Sequence, residues 1–360
     1  MTSASTLRAR LFAPRWQPLL IPLTAVSTAL VAGFLAMWLF GKDAPQGFAL
    51  MAEHALGSAN AVGESSIKAA VLTLCGLSVT VAFTAGLFNI GAEGQFTVGA
   101  ITAAWLGAAL DLPAPLELLV VTGAAMTAGA AWALIAAWLK VRRGVHEVIS
   151  TIMLNWIALH LVQDWLVVGP LAAPSSNAQI SLAGTVPVHA SAQLPRLIAG
   201  SRLDFGIVYA AIAVIFCWLL LSRTVAGFEI RLVGAAPGVA EASGLPNARR
   251  TYQAMALAGA LAALGGLLLV LGTEHRYPGT FRTGYGFDGI AVALVGGASP
   301  LGTALAGIFF GLLRAGAKGL QLVGIQPSFA ELLQGVSVWL VSAPLLFAAL
   351  FRKLRGARAT

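Results

Sequence analysis

The sequence predicts an all-α, polytopic bundle of membrane-spanning helices, and three observations carry that prediction. Of the 360 residues, 58% are hydrophobic and only 10% are charged, too few charges to coat a soluble protein of this length. Apolar runs repeatedly reach the roughly 20 residues that a bilayer-spanning helix requires. The Lys and Arg residues gather in short segments between those runs, the pattern that orients a chain in a membrane.

Taken in order, spans are expected near residues 19–40, 67–86, 93–110, 117–139, 145–168, 204–222, 251–271, 286–298, 301–319 and 329–350, ten in all with the eighth short. The first follows Arg8, Arg10 and Arg15 in the manner of a signal peptide. It exceeds the about 7–15 apolar residues of a signal core, so it is expected to span and stay. With both termini cytoplasmic, the inner segments hold Arg8, Arg10, Arg15; Lys140, Arg142, Arg143; Arg223, Arg231, Arg249, Arg250; and Arg352, Lys353, Arg355, Arg358. These are 14 of the 22 Lys and Arg residues, and the net charge of +8 therefore reflects topology and a lipid surrounding rather than a nucleic-acid partner. Trp38, Trp105, Trp138, Trp165 and Trp218 fall near span ends, where an interfacial aromatic belt places them.

No hydrophilic stretch is long enough to fold separately, so residues 1–360 form one membrane domain with tails at 1–18 and 351–360. Residues 41–66 and 169–203 are expected outside. The second segment carries Pro170, Pro174, Pro187 and Pro195 and reads as a loop. Residues 223–250 form the longest cytoplasmic connection, in which Pro237 opens a short helix that Gly244 and Pro246 end. Cys75 and Cys217 lie in apolar runs as small core residues. The five histidines show no metal-ligand spacing with a third ligand, and no paired acidic motif for a magnesium-dependent transferase occurs. A GxxxxGK[ST] phosphate loop is missing too, so any pumping must borrow its energy from elsewhere.

Residues 86–95, GLFNIGAEGQ, break the apolar pattern. A carboxylate at the centre of a spanning helix is disfavoured by about 2.5–3.5 kcal/mol on insertion scales, so Glu93 should face protein or a wet cavity. Gly86, Gly91 and Gly94 let the backbone leave helical geometry there. Asn89, Gln95 and Asn155 offer donors and acceptors, while Phe88 and Trp156 offer rings that stack on a flat solute. The run GAEG at 91–94 is echoed by GFDG at 286–289, each opening a helix rich in small residues. The span order gives these helices opposite directions, as in an inverted repeat with its site at the repeat interface. Glu93 and Asp288 are each expected to accept hydrogen bonds from a nearby helix start and to mark the cavity wall. His160 and Asp164 share a face as an interfacial pair, and Arg314 and Lys318 are expected to snorkel from their span end.

GLFNIGAEGQ, with HEVISTIMLNWIA at 146–158 and YGFDGIAVALVGG at 285–297, resembles the permease subunits of bacterial ABC-type importers for nucleosides and simple sugars. The similarity runs over nearly the whole chain and is greatest to the longer of the two nucleoside-importer permeases. It implies a transport subunit of the bacterial inner membrane, with no catalytic residue, no metal and no cofactor of its own. It also implies three protein partners: a cytoplasmic ATPase that uses ATP, a second, shorter permease completing a heterodimer, and an extracytoplasmic solute-binding lipoprotein. RLVGAAPGVAEASGL is similar to the family's cytoplasmic loop, with Ala236, Ser243 and Leu245 departing from its usual form. Arg231, Gly234, Pro237, Ala240, Glu241 and Gly244 are the expected ATPase contacts. Phe88, Asn89, Glu93, Gln95, Asn155, Trp156 and Asp288 are the expected path residues, and a nucleoside is the expected cargo. Three rival readings stand: a monosaccharide or other small polar solute on the same architecture, a secondary transporter using Glu93 and Asp288 for ion coupling, and a membrane enzyme.

Overall fold

Short polar and proline signals between the apolar runs set most helix ends. The computed structural model describes residues 17–174, 184–198, 200–279, 284–326 and 328–342, so the basic termini at Arg8–Arg15 and Arg352–Arg358 lie outside the described residues. Among those residues the helices are α1 (Gln17–Leu39), α2 (Ala44–Leu56), α3 (Ala59–Thr84), α4 (Ala92–Ala109), α5 (Ala114–Arg143), α6 (Glu147–His160), α7 (Gly206–Arg223), α8 (Val225–Ala235), α9 (Pro237–Ala242), α10 (Asn247–Leu269), α11 (Tyr285–Val295), α12 (Pro300–Gly316) and α13 (Phe329–Ser342). A π-helical turn extends α6 over Leu161–Leu166 and another extends α10 over Val270–Glu274, while a 3-10 segment, Ala317–Val323, follows α12. Asp43, Ser58, Thr224 and Ser299 each cap the helix that follows by accepting from a backbone N–H. Gly144 ends α5 in the left-handed conformation, φ 67°.

Two helices form the centre. The apolar windows of α3 and α10 are 83% and 89% buried inside the molecule, against 22% for α5 and 28% for α7, so the latter two lie at the periphery of the bundle. Small residues permit this packing: a Cβ on Gly259 of α10 would stand 2.3 Å from the Gly129 carbonyl oxygen of α5, so the two backbones touch. Van der Waals contact between small residues is the main attraction left when the surroundings are already apolar. Trp38, Trp105, Trp138 and Trp165 are exposed, and Trp218 is half-buried under the Arg223 guanidinium.

Among the described residues five helices are long and apolar enough to cross a bilayer by themselves, and the observed elements follow the ten expected spans with two differences, the last span being described only to residue 342. Residues 41–56 were expected as an external segment but hold α2, a helix too short to span. Asp43 caps it, and its buried Met51 packs on the end of α12, where a Cβ on Gly316 would stand 2.5 Å from the Met51 carbonyl oxygen. Second, α3 begins at Ala59 rather than near residue 67. Its polar opening, with Glu64 and Lys68, is served by ion pairs rather than left bare.

The contacts give directions. Gly311 of α12 lies on Ala69 of α3, Gly307 on Thr73, and Thr303 bonds Thr80 at 2.7 Å, so α12 is antiparallel to α3. α11 runs with α3, Gly289 against Cys75 and Val292 against Gly76. α4 runs against both: Ala92 clusters with Val79 and Ala293, while Phe96, one turn on, faces Tyr285. The two Gly-x-acid-Gly motifs therefore open helices of opposite direction at the middle of the bundle. α11 rises only about 16 Å over its eleven residues, so it covers roughly half of a 30 Å hydrocarbon core.

Candidate functional site

Between Thr84 and Ala92 the chain leaves helical geometry, and side chains replace the missing intrahelical bonds. Asn89 and Gln95 exchange amide hydrogen bonds, Asn89 Nδ2 to Gln95 Oε1 at 3.0 Å and Gln95 Nε2 to Asn89 Oδ1 at 3.1 Å. Asn89 Oδ1 also accepts from the Gly91 N–H at 3.0 Å. Asn155 of α6 spans the break from the other side: its Oδ1 accepts from Gly94 N at 2.8 Å and its Nδ2 donates to Ile90 O at 2.8 Å. All three amides are buried, so their polar groups are spent on backbone and on one another. Non-helical backbone at membrane depth needs such partners.

Glu93 closes the link between the two motifs. It stands in the first turn of α4, yet its carboxylate serves the start of α11, Oε1 accepting from Gly284 N at 3.1 Å and Oε2 from Gly286 N at 2.7 Å. A helix start exposes unpaired N–H groups and the positive end of the dipole, and a carboxylate answers both. The expected helix-start role thus holds for Glu93, on the helix of the other motif. Asp288 differs, because it pairs with the guanidinium of Arg314, which also lies 4.0 Å from the Tyr285 ring centroid. Lys318, expected like Arg314 to snorkel, instead donates to Glu64 at 2.6 Å. A charged group on a helix face was legible in the sequence, but its partner more than twenty residues away was not.

The other residues expected on the path, Phe88 and Trp156, are exposed. Phe88 is 40% exposed and meets Phe83 at 4.8 Å with the rings tilted by 46°; Trp156 is 51% exposed and stacks on His160. His160 in turn pairs with Asp164 at 2.6 Å. Together with Ile149, Met153 and Ile157, Trp156 forms an exposed apolar face of α6. Sequence reasoning missed Glu147. It is buried, it binds Lys140 of α5, and it accepts from the Phe88 N–H at 3.4 Å, tying the broken segment to the basic end of α5. A carboxylate within a run of apolar residues, just after Lys140, Arg142 and Arg143, was the available signal.

The residues expected to contact an ATPase lie on and around α8 and α9. Pro237 opens α9 as expected, and the Asn247 side chain donates to its carbonyl at 3.1 Å, while Gly244 turns the chain with φ 75°. Ala240 is buried beneath α9; Glu241 and Arg231 are exposed. Arg250 binds Glu229, fastening α8 to the start of α10. Gly234 near the end of α8 meets the broken segment directly: a Cβ there would stand 2.2 Å from Thr84 O and 2.6 Å from Gly86 N. Gly86 has φ 73° and Cα-level contact with Gly234 in return. A backbone contact thus joins α8, and through it the short helix α9, to the segment that begins at Gly86.

Comparison with known proteins places this arrangement among transporters. Residues 62–342 match the family described as branched-chain amino acid transport system / permease component. The chain is 36% identical to the guanosine ABC transporter permease protein NupP of Bacillus subtilis, over 87% of this chain and 90% of that one. It is 32% identical to the glucose ABC transporter permease protein TsgB13 of Haloferax volcanii, over 90% and 87%. It is 31% identical to the nucleoside ABC transporter permease protein NupB of Lactococcus lactis, over 95% of each. No solved structure matches.

Proposed function

Because the chain belongs to the family of branched-chain amino acid transport system permease components, we propose that it is the membrane subunit of an ABC importer that carries nucleosides inward. The cargo reading is supported by the guanosine and nucleoside permeases among its relatives. The glucose permease relative supports a second reading, a monosaccharide on the same architecture. The observation that carries the mechanism is the backbone contact of Gly234 with Thr84 and Gly86. It gives a helix between two spans a direct hold on the irregular segment at the membrane centre.

In this account both termini and α9 face the cytoplasm, and a separate ATPase binds α9 while hydrolysing ATP. Arg231, Pro237, Ala240, Glu241 and Gly244 form or shape that contact. Closure of the ATPase moves α8 and α9 as a body, a recognised mode of switching. Gly234 passes the displacement to Gly86, and the bonds of Asn89, Gln95 and Asn155 carry it as one unit to Glu93 and so to the start of α11. The exposed Phe88 and Trp156 face the path, where flat rings stack on a base or a sugar face. Asp288 holds the α11–α12 pair through Arg314 and is a wall residue rather than a solute ligand. A second, shorter permease completes the pore, and a solute-binding lipoprotein delivers the cargo.

The test is a substrate panel. Proteoliposomes holding the purified transporter complex, supplied with its binding protein and internal ATP, are expected to accumulate labelled guanosine and related nucleosides, with unlabelled glucose failing to compete. Accumulation of labelled glucose with no competition by nucleosides would establish the second reading instead.

A further inference from the structure

A cleft of about 520 Å³ opens on the outside of the bundle between α3, α7 and α12. Small residues such as Ala69, Ala211 and Ala304 line it, and the exposed Ile215 and Ile308 are part of its lining. A second cavity, of about 500 Å³, stands at the end of the first. Three elements line both in succession: Leu56 then Gly57 at the α2–α3 turn, Val62 beside Ala61 on α3, and Leu312 then Ala315 at the end of α12.

The second cavity is polar and lined by charged groups of both signs. Glu64 receives Lys318 at 2.6 Å, Lys68 at 2.9 Å and Arg202 at 3.9 Å. Three cations thus share one carboxylate: Arg202 and Lys318 balance Glu53 and Glu64 on the lining, and Lys68, paired with Glu64 behind the lining, adds one further positive charge. Lys318 and Arg202 are 58% and 60% exposed, so each can leave Glu64 for another anion. The cavity sits where the polar opening of α3 gives way to its apolar run, which is the level of a lipid headgroup. An apolar slot at hydrocarbon depth, ending under exposed cations at headgroup depth, matches one molecule that carries a hydrocarbon chain beneath an anion.

We infer that this paired cavity binds one anionic phospholipid of the adjoining leaflet, an acyl chain lying in the cleft and the phosphate resting on Arg202 and Lys318. The exposed Arg202 and Lys318 at the mouth of an apolar cleft favour this occupant over a wholly apolar partner helix.

The experiment uses the intact transporter complex in nanodiscs containing phosphatidylglycerol with a photoactivatable acyl chain, and separately phosphatidylcholine with the same chain. Labelled peptides are mapped by mass spectrometry. Residues 62–73, 207–215 and 304–312 are expected to label on the order of tenfold more from phosphatidylglycerol, since each nearby cation contributes about 1 kcal/mol to an anionic headgroup. Arg202→Gln with Lys318→Gln should bring the two lipids to equal labelling while the complex elutes unchanged on size exclusion. Ala304→Leu, which fills the cleft and keeps the cations, should reduce labelling by phosphatidylglycerol. Soluble glycerol phosphate in excess should not compete, because it lacks the chain. Equal labelling of the wild type by both lipids would reduce the site to ordinary boundary lipid and overturn the inference. So would competition by glycerol phosphate, which would assign a free-phosphate site, or protection of all three segments from either lipid, which would mean that protein covers the cleft.

Discussion

At the scale of single residues, the site is held by side chains that serve other residues' backbone groups. Glu93 answers two N–H groups at the start of α11, and an unpaired buried donor costs about 1–3 kcal/mol. Glu93→Ala is therefore expected to lose folded protein, whereas Glu93→Gln, which keeps one acceptor oxygen, should retain more. Fluorescence-detected size exclusion and thermal unfolding would check this order, and equal behaviour of the two variants would contradict it. Asn155→Ala should destabilise by a similar amount, because it frees both Gly94 N–H and Ile90 O.

Asp204, included in the expected span 204–222 but placed two residues before the start of α7, offers a pH signature. Burial raises its carboxyl pKa to about 6 against the opposing Gly206 N–H bond, and its second oxygen has no hydrogen-bond partner among the described residues. A raised folded-state value means that stability from this group is fully present below the unfolded value of about 3.9 and is lost as pH rises through about 6. Asp204→Asn should flatten thermal stability across that window; an unchanged slope would assign the pH dependence to other groups.

Helix identity and order were largely legible, because apolar length and capping residues are local signals. Pro237 and Gly244 announced α9, and the opposed directions of α4 and α11 followed from span order. The partners of the charged residues were not legible. Glu93 with Gly286, Arg314 with Asp288, and Glu64 with Lys318 join segments that only tertiary packing brings together. Helix α2 escaped for a different reason: its apolar face is one side of a short helix, which a span-length window averages away. The Gly234–Gly86 contact is the element-scale feature on which the proposed coupling rests. Gly234→Ala places a methyl group against Thr84 O, and such overpacking typically costs about 1–3 kcal/mol. It should sharply lower ATP-driven uptake while the ATPase still co-purifies. Glu241→Arg, on the exposed side of α9, should instead weaken ATPase binding or its coupling and spare membrane insertion. Normal uptake with normal co-purification would remove α9 from the coupling path.

Viewed as a whole, the molecule is a buried pair of helices, α3 and α10, around which two oppositely directed half-site helices meet at mid-depth. This layout makes the carboxylates of Glu93 and Asp288 structural: one closes a helix start, the other an ion pair. An ion-coupled transporter would need one of them to release and rebind a cation during transport. The most direct measurement is uptake of labelled nucleoside into proteoliposomes containing the full complex, with and without internal ATP, and with and without a proton or sodium gradient. The account predicts accumulation that requires ATP, is indifferent to the gradients, and persists in part in Glu93→Gln. Gradient-driven accumulation without ATP, abolished in a stably folded Glu93→Gln variant, would contradict it.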